Sequence, residues 1–197
     1  NFSIVYGNSE QSSIAYASYG AIIGEAETNS CYQFGTLALQ VSEQFRAKSD
    51  HARAIHLVNI FIKPWHVHLR NLLPVIKEIY HDSLENGELE YAGYQAIQYC
   101  KMSFFAGQSL SELAPIIASY LQVMTQLEQA FSVNFLTVYW QTLLTLSQAS
   151  ANPAGLLDPS VESKLLTTFT RIKDNTGFCF FYSSQLFLYY LFQYPAL

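Results

Sequence analysis

Residues 86–113, NGELEYAGYQAIQYCKMSFFAGQSLSEL, constrain the fold more than any other stretch of this chain. An Asn-Gly break opens a helical pattern with Gly93 and Ala96 at packing positions. Gly107 closes it, and a second helix starts at Ser109 or Ser111. A glycine in mid-helix is disfavoured by up to about 1 kcal/mol against Ala, so Gly93 argues for a neighbour packed close to the backbone. The short breaks on either side leave room only for antiparallel neighbours.

The same template recurs. Tyr16-x-x-Tyr19-Gly20-x-x-Ile23 and Leu89-x-x-Ala92-Gly93-x-x-Ala96 both place two contact residues, a glycine and a further contact residue one turn on. The first helix of a tetratricopeptide hairpin has this spacing, because a tiny residue lets the second helix approach. Gly20 and Gly93 lie 73 residues apart, or two units of about 36. Weaker copies centre on His56, Thr137 and Ser184, at drifting intervals.

Apolar spacing predicts helices over roughly 9–26, 30–47, 50–63, 66–86, 88–106, 110–130, 133–150, 160–173 and 177–193. Ser30, Asp50, Ser109 or Ser111, and Ser132 are the expected N-caps, and Ser109 with Glu112 has the spacing of a capping box. Pro64 is expected to end a helix, while Pro74 and Pro115 are expected near helix starts, where proline is tolerated. A longer loop is expected over 151–159, which holds Pro153, Gly155 and Pro159. The predicted fold is all-α: a single domain over 1–197, about nine helices, paired as antiparallel hairpins stacked into a right-handed, tetratricopeptide-like solenoid.

Composition narrows the function. The net charge is −5 and the ten Lys and Arg are scattered, so the clustered basic footprint that nucleic acid requires is missing. Cys31, Cys100 and Cys179 are far apart among apolar neighbours and read as reduced core residues, which points to the cytoplasm. Asn1 in place of Met, with no signal-peptide pattern, reads as the start of an excised piece of a longer protein. Residues 175–197 carry no charge, but Asn175, Ser183, Ser184, Gln185 and Gln193 interrupt them, so a packed helix is expected in preference to a membrane span.

Few residues suggest chemistry. His66 and His68 are two apart, a spacing that points their side chains away from each other on a helix, and no third ligand stands nearby. They are expected to be solvated or to cap a helix. Glu85, Glu88 and Glu90 flank a helix start, where acidic groups favour the positive end of the dipole. Nucleophile-elbow, phosphate-loop and kinase motifs are missing. No metal, cofactor or enzymatic activity is expected. Aromatic density is the remaining signal, with fourteen Phe, fourteen Tyr and two Trp. Tyr91, Tyr94, Tyr139 and Trp140 are the residues expected to line an interaction face or a ligand pocket.

The blocks YGNSEQSSIAYASYGAIIGE, YQFGTLALQVSEQF, Trp65-His-x-His-Leu-Arg70, LENGELEYAGYQAIQYCKMSFFAGQSLSEL and NFLTVYWQTLLTL resemble the helical region of large bacterial signalling proteins, typically cyanobacterial. There it lies between an AAA-type ATPase module and downstream GAF and histidine-kinase modules, often with a serine/threonine kinase at the N-terminus. The resemblance implies a non-catalytic interaction module that relays between ATPase and kinase modules, with a protein partner and no transferable site. The alternative it leaves open is a sensor that takes a small ligand or a lipid in an aromatic pocket.

Overall fold

The computed structural model describes residues 5–24, 27–45, 48–147 and 158–193. Among these residues there are nine α-helices of ten residues or more and no strand. They are α1 Ser12–Ile23, α2 Thr28–Phe45, α3 Lys48–Leu57, α4 Leu69–Glu85, α5 Leu89–Phe105, α6 Leu110–Gln126, α7 Ala130–Ser147, α8 Pro159–Ile172 and α9 Asn175–Leu191. The fold is all-α, as the apolar spacing predicts. The chain divides into two compact units, Asn1–Ala106 and Gly107–Leu197. Most of the expected 151–159 loop lies outside the described residues.

In the first unit α1 packs on α2, α4 packs on α5, and α3 packs on α1, α2 and α5. One core gathers Ala17, Cys31, Ala38, Val58 and Ile62. Two glycines let it close. A Cβ on Gly20 would lie 2.8 Å from Ile62 Cδ1 and 3.1 Å from the Cys31 carbonyl, and one on Gly35 would lie 3.0 Å from Ile62 Cγ2. Gly20 therefore has the packing role that its mid-helix position suggests. Gly20 stands on the first helix of its hairpin, however, and Gly93 on the second of its own, so the 36-residue register does not equate them.

The helices keep a different period. α4 and α6 begin 41 residues apart, at Leu69 and Leu110, and α5 and α7 begin 41 apart, at Leu89 and Ala130. Leu72, Ile76, Ile79 and Ser83 are buried on α4, and Leu113, Ile117, Tyr120 and Met124 are buried at the equivalent places on α6. Both hairpins turn the same way. The Glu88 N–H donates to the Ser83 carbonyl (2.8 Å) and Gly87 N–H to Leu84 O (3.2 Å), matched by Gln129 to Met124 (2.9 Å) and Glu128 to Thr125 (3.1 Å). This is the Schellman closure, which requires a left-handed residue after the helix. Gly87 supplies it at φ +77°, and Glu128 supplies it at φ +57°. Lys173, also at +57°, turns α8 into α9 by the same bonds, with Asp174 N–H on Phe169 O (2.9 Å).

Several expected ends move. Ser30, Asp50 and Ser132 lie inside α2, α3 and α7. Ser109 does precede α6, but its hydroxyl pairs with Ser111 Oγ (2.6 Å) and makes no side-chain cap, so the Ser109–Glu112 capping box is not formed. Side-chain caps are formed by His68, Asp158 and Asp174, each accepting from a backbone N–H two or three residues on. Pro74 and Pro115 are each the sixth residue of their helix, beyond the first turn that tolerates proline. Both are exposed, as are Arg70 and Ser111, whose carbonyls lose a partner, so water can take up the freed groups. Pro64 ends a helix as expected, but not an unbroken one. After Leu57 the chain widens into a π-helical turn, Val58–Ile62, and then tightens into the 3-10 turn Lys63–Trp65.

Candidate functional site

Tyr91 and Tyr94 lie on the first turns of α5 and face α3. His56 of α3 sits between them, its ring 5.8 Å from Tyr91 and 5.4 Å from Tyr94. Arg53, one turn earlier, places its guanidinium 5.6 Å from the centre of the Tyr91 ring. Gln95, fully buried on α5, donates from Nε2 to His56 Nδ1 (3.1 Å). An amide nitrogen can only donate, so Nδ1 must be the unprotonated nitrogen and His56 the neutral tautomer with its hydrogen on Nε2. Burial acts in the same direction, holding the imidazole down at about 4, well below its ordinary range. Tyr94 donates to Glu90 on the next turn back (2.5 Å), and burial together with that carboxylate pushes its phenol up to about 12.

These residues join α3 to α5. A histidine that is neutral down to about pH 4 neither takes nor gives a proton near neutrality. One turn beyond His56, Asn59 is fully buried in the π-helical turn with neither amide atom hydrogen-bonded, and Gln95 Oε1 is likewise unpaired. π-Helical turns and unpaired buried amides both concentrate where a fold carries strain.

Tyr139 and Trp140 belong to the second unit. Tyr139 is buried and meets Phe180 edge-on at 4.8 Å, beside the stacked Phe135–Phe180 pair, so it fills the core between α7 and α9. Trp140 is half-buried on α7. The structure thus places the four expected aromatics as two pairs in separate units, with Tyr139 in packing and closed to a partner.

The histidine pair divides. His68 is the N-cap of α4, its Nδ1 accepting from Arg70 N–H (3.2 Å). His66 Nε2 donates to the Thr28 carbonyl (2.9 Å) while its ring lies 4.7 Å from Tyr32, tying the 3-10 turn to the start of α2. Among the described residues no three His, Cys, Asp or Glu side chains gather as a metal site. Cys31 and Cys100 are buried, as expected of core thiols, but Cys179 is exposed on α9.

Among the described residues of the first unit, two clefts bear on a ligand reading. The larger, about 220 Å³, lies between α2 and the π-helical turn, with Tyr32, Leu39, Val58 and Ile62 as its apolar wall and Thr36, Glu43 and Lys63 as its polar rim. Burial lowers the Lys63 pKa. The smaller, about 80 Å³, lies among His51, Ile55, Ile79 and Ser83. Neither is walled by Tyr91 or Tyr94.

The apolar groups that stand free for contact are elsewhere. α1 and α9 contain no charged residue. On α1, Ala15, Tyr19 and Ile22 form an exposed stripe at i, i+4 and i+7, with Ile22 80% accessible. On α9, Tyr182, Leu186 and Tyr190 form one at i, i+4 and i+8, with Leu186 70% and Tyr190 79% accessible. Aromatic counting points to Tyr91, Tyr94, Tyr139 and Trp140 and misses both stripes. The legible signal for both is the lack of charge in a helix that is not enclosed, since a solvated face normally carries it. No helix among the described residues is long and apolar enough to cross a membrane. No protein-family model, curated protein or solved structure matches this chain.

Proposed function

We propose that the chain is a non-catalytic protein-interaction module, and that it docks helices of a partner protein on the uncharged faces of α1 and α9. The observation that carries this reading is the Ala15–Tyr19–Ile22 stripe, an exposed apolar row on a helix with no charge anywhere around it. Helical-repeat proteins seal their outer helices with polar faces, because an unsealed one promotes association. The other faces of α1 are covered by α2, α3 and the π-helical turn, which leaves the stripe as its uncovered side. The partner face complementary to it is an amphipathic helix presenting Leu, Ile, Phe or small residues and no charge, since a charge set against Tyr19 and Ile22 would be desolvated without a counter-ion.

The assignment of that partner to ATPase and kinase modules of a signalling protein, for which this region would act as a relay, is supported by the resemblance of the sequence blocks alone. The experiment is site-specific photocrosslinking from position 22 in cells of the source organism. Expected is one dominant adduct with an amphipathic helical segment, lost on Tyr19→Glu and competed by a peptide of that segment. Labelling spread evenly over many proteins, unchanged by Tyr19→Glu, contradicts the reading. A sensor reading has less geometric support, because neither cleft is walled by the tyrosines expected to form an aromatic pocket.

A further inference from the structure

The π-helical turn after α3 builds one wall of the larger cleft. Its closing bond runs from the Lys63 N–H to the Val58 carbonyl, five residues back, which seats Lys63 over Val58. In a continued α-helix five residues turn far enough to leave Lys63 about 140° round from Val58 and off that wall. The widened turn instead sets Val58, Ile62 and Lys63 along one side of the cleft, with Thr36 and Leu39 of α2 on the other. π-Helical turns frequently mark functional sites. We propose that this cleft binds a small monocarboxylate, its carboxylate on Lys63 and its apolar body along Leu39, Val58 and Ile62.

Lys63 is half-buried, and no carboxylate among the described residues pairs with its ammonium. Burial lowers its pKa, as expected of a cation short of both solvent and counter-ion. A carboxylate brought into the cleft supplies that counter-ion through a charge-assisted hydrogen bond, which is stronger away from bulk water. The Thr36 hydroxyl gives its hydrogen to the Tyr32 carbonyl (2.9 Å), so Lys63 is the charged donor at this end. His66 fixes which end that is. Its Nε2 donates to the Thr28 carbonyl (2.9 Å) and its ring lies 4.7 Å from Tyr32, which holds the turn after Lys63 against the start of α2. Glu43, the acidic residue of the lining, stands seven residues beyond Thr36, about 10 Å along the helix. The apolar body of the ligand therefore has to end before Glu43. A volume of about 220 Å³ equals that of about seven waters at roughly 30 Å³ each, room for a molecule of about ten non-hydrogen atoms.

This site is independent of the docking reading, which places the partner on α1 and α9. The test is titration of the full chain at pH 7 with butanoate, hexanoate, octanoate and decanoate, followed by backbone amide NMR shifts. Expected for hexanoate is saturable binding with a Kd of about 0.1–1 mM, the shifts concentrated at Thr36, Leu39, Val58 and Lys63. Each added CH₂ should tighten binding by up to about fourfold as far as octanoate, after which affinity levels off because the chain has reached Glu43. Hexan-1-ol, which has the same body without the charge, should bind the native chain at least tenfold more weakly than hexanoate. Lys63→Met should weaken hexanoate at least tenfold with an unchanged helical circular-dichroism spectrum, and Lys63→Arg should keep it within a few-fold. No saturable shift up to 20 mM hexanoate, or shifts centred away from the cleft, overturns the proposal. Equal affinity for hexanoate and hexan-1-ol overturns it without any variant, since Lys63 would then play no part. Affinity that climbs undiminished through decanoate also overturns it, because that is partition onto an apolar surface and not the filling of a cleft.

Discussion

His56 is charged by acid only at the expense of the α3–α5 contact. Its folded-state pKa of about 4 lies below the ordinary 6.5, so between those values the unfolded chain binds a proton that the folded chain does not. Stability is present above pH 6.5 and is lost as pH falls through the window toward 4. The full shift corresponds to about 3 kcal/mol, and partial solvent access to the ring reduces this to about 1–2 kcal/mol. Arg53 and Glu90, charged, and Tyr91, Tyr94 and Gln95 are the groups around the ring. Urea denaturation at pH 7 and pH 5 should show this loss in the native chain and a flatter dependence in His56→Phe. An equal slope in both would place the acid sensitivity elsewhere. Gly20 gives a second test at the same scale. Gly20→Ala should destabilise by about 1–3 kcal/mol through overpacking, and Ile62→Val, which removes the Cδ1 atom in the way, should restore part of it. If the two substitutions simply add in denaturant titrations, the close approach is not what selects the glycine.

The elements differ in how much of them can be read from residues. Helix existence was legible throughout, because apolar groups three and four apart leave no other use for these segments. Pro64 fixed one end, and Gly87 and Gly107, both at positive φ, fixed two more. At three ends the turn conformation was not legible: Glu128, Lys173 and Gln193 adopt the left-handed conformation without being glycine. Nothing about a Glu or Lys announces this; the Schellman bonds and the packing around them impose it. The 41-residue period was hidden for a related reason. Its markers, Leu69-x-x-Leu72-x-Pro74-x-Ile76 and Leu110-x-x-Leu113-x-Pro115-x-Ile117, place proline where a helix ordinarily rejects it, and the more conspicuous glycines, Gly20 and Gly93, sit on non-equivalent helices of their hairpins. The equivalence makes opposite predictions for equivalent sites. Glu128→Gly should stabilise by up to about 1 kcal/mol and Gly87→Ala should destabilise by about as much, since nothing crowds Gly87 and backbone strain is the only difference. Thermal unfolding of the two variants measures both. The same sign for both would show that the two turns are not equivalent.

At the level of the whole chain, the sequence announced an all-helical protein rich in aromatics without saying which aromatics are spent inside. Tyr139 and Trp140 read the same as Tyr182 and Tyr190 in a list of residues, yet Tyr139 closes a core while Tyr190 is 79% accessible. The distinction depends on which face of each helix its neighbours cover, and only the packing of α7, α8 and α9 on one another decides that. Missing charge was the better guide. α1, α7 and α9 all lack it; α7 is enclosed by its unit, and α1 and α9 keep an open apolar stripe. That pattern carries the claim that this chain works by docking. The most direct test is the affinity of the helical segment that cross-links to position 22, measured by calorimetry on the native chain and on Tyr19→Ala/Ile22→Ala. The stripe predicts at least a tenfold loss, about 1.4 kcal/mol or more, with Gln40→Ala on the exposed side of α2 unchanged. Equal affinity for all three chains would contradict it.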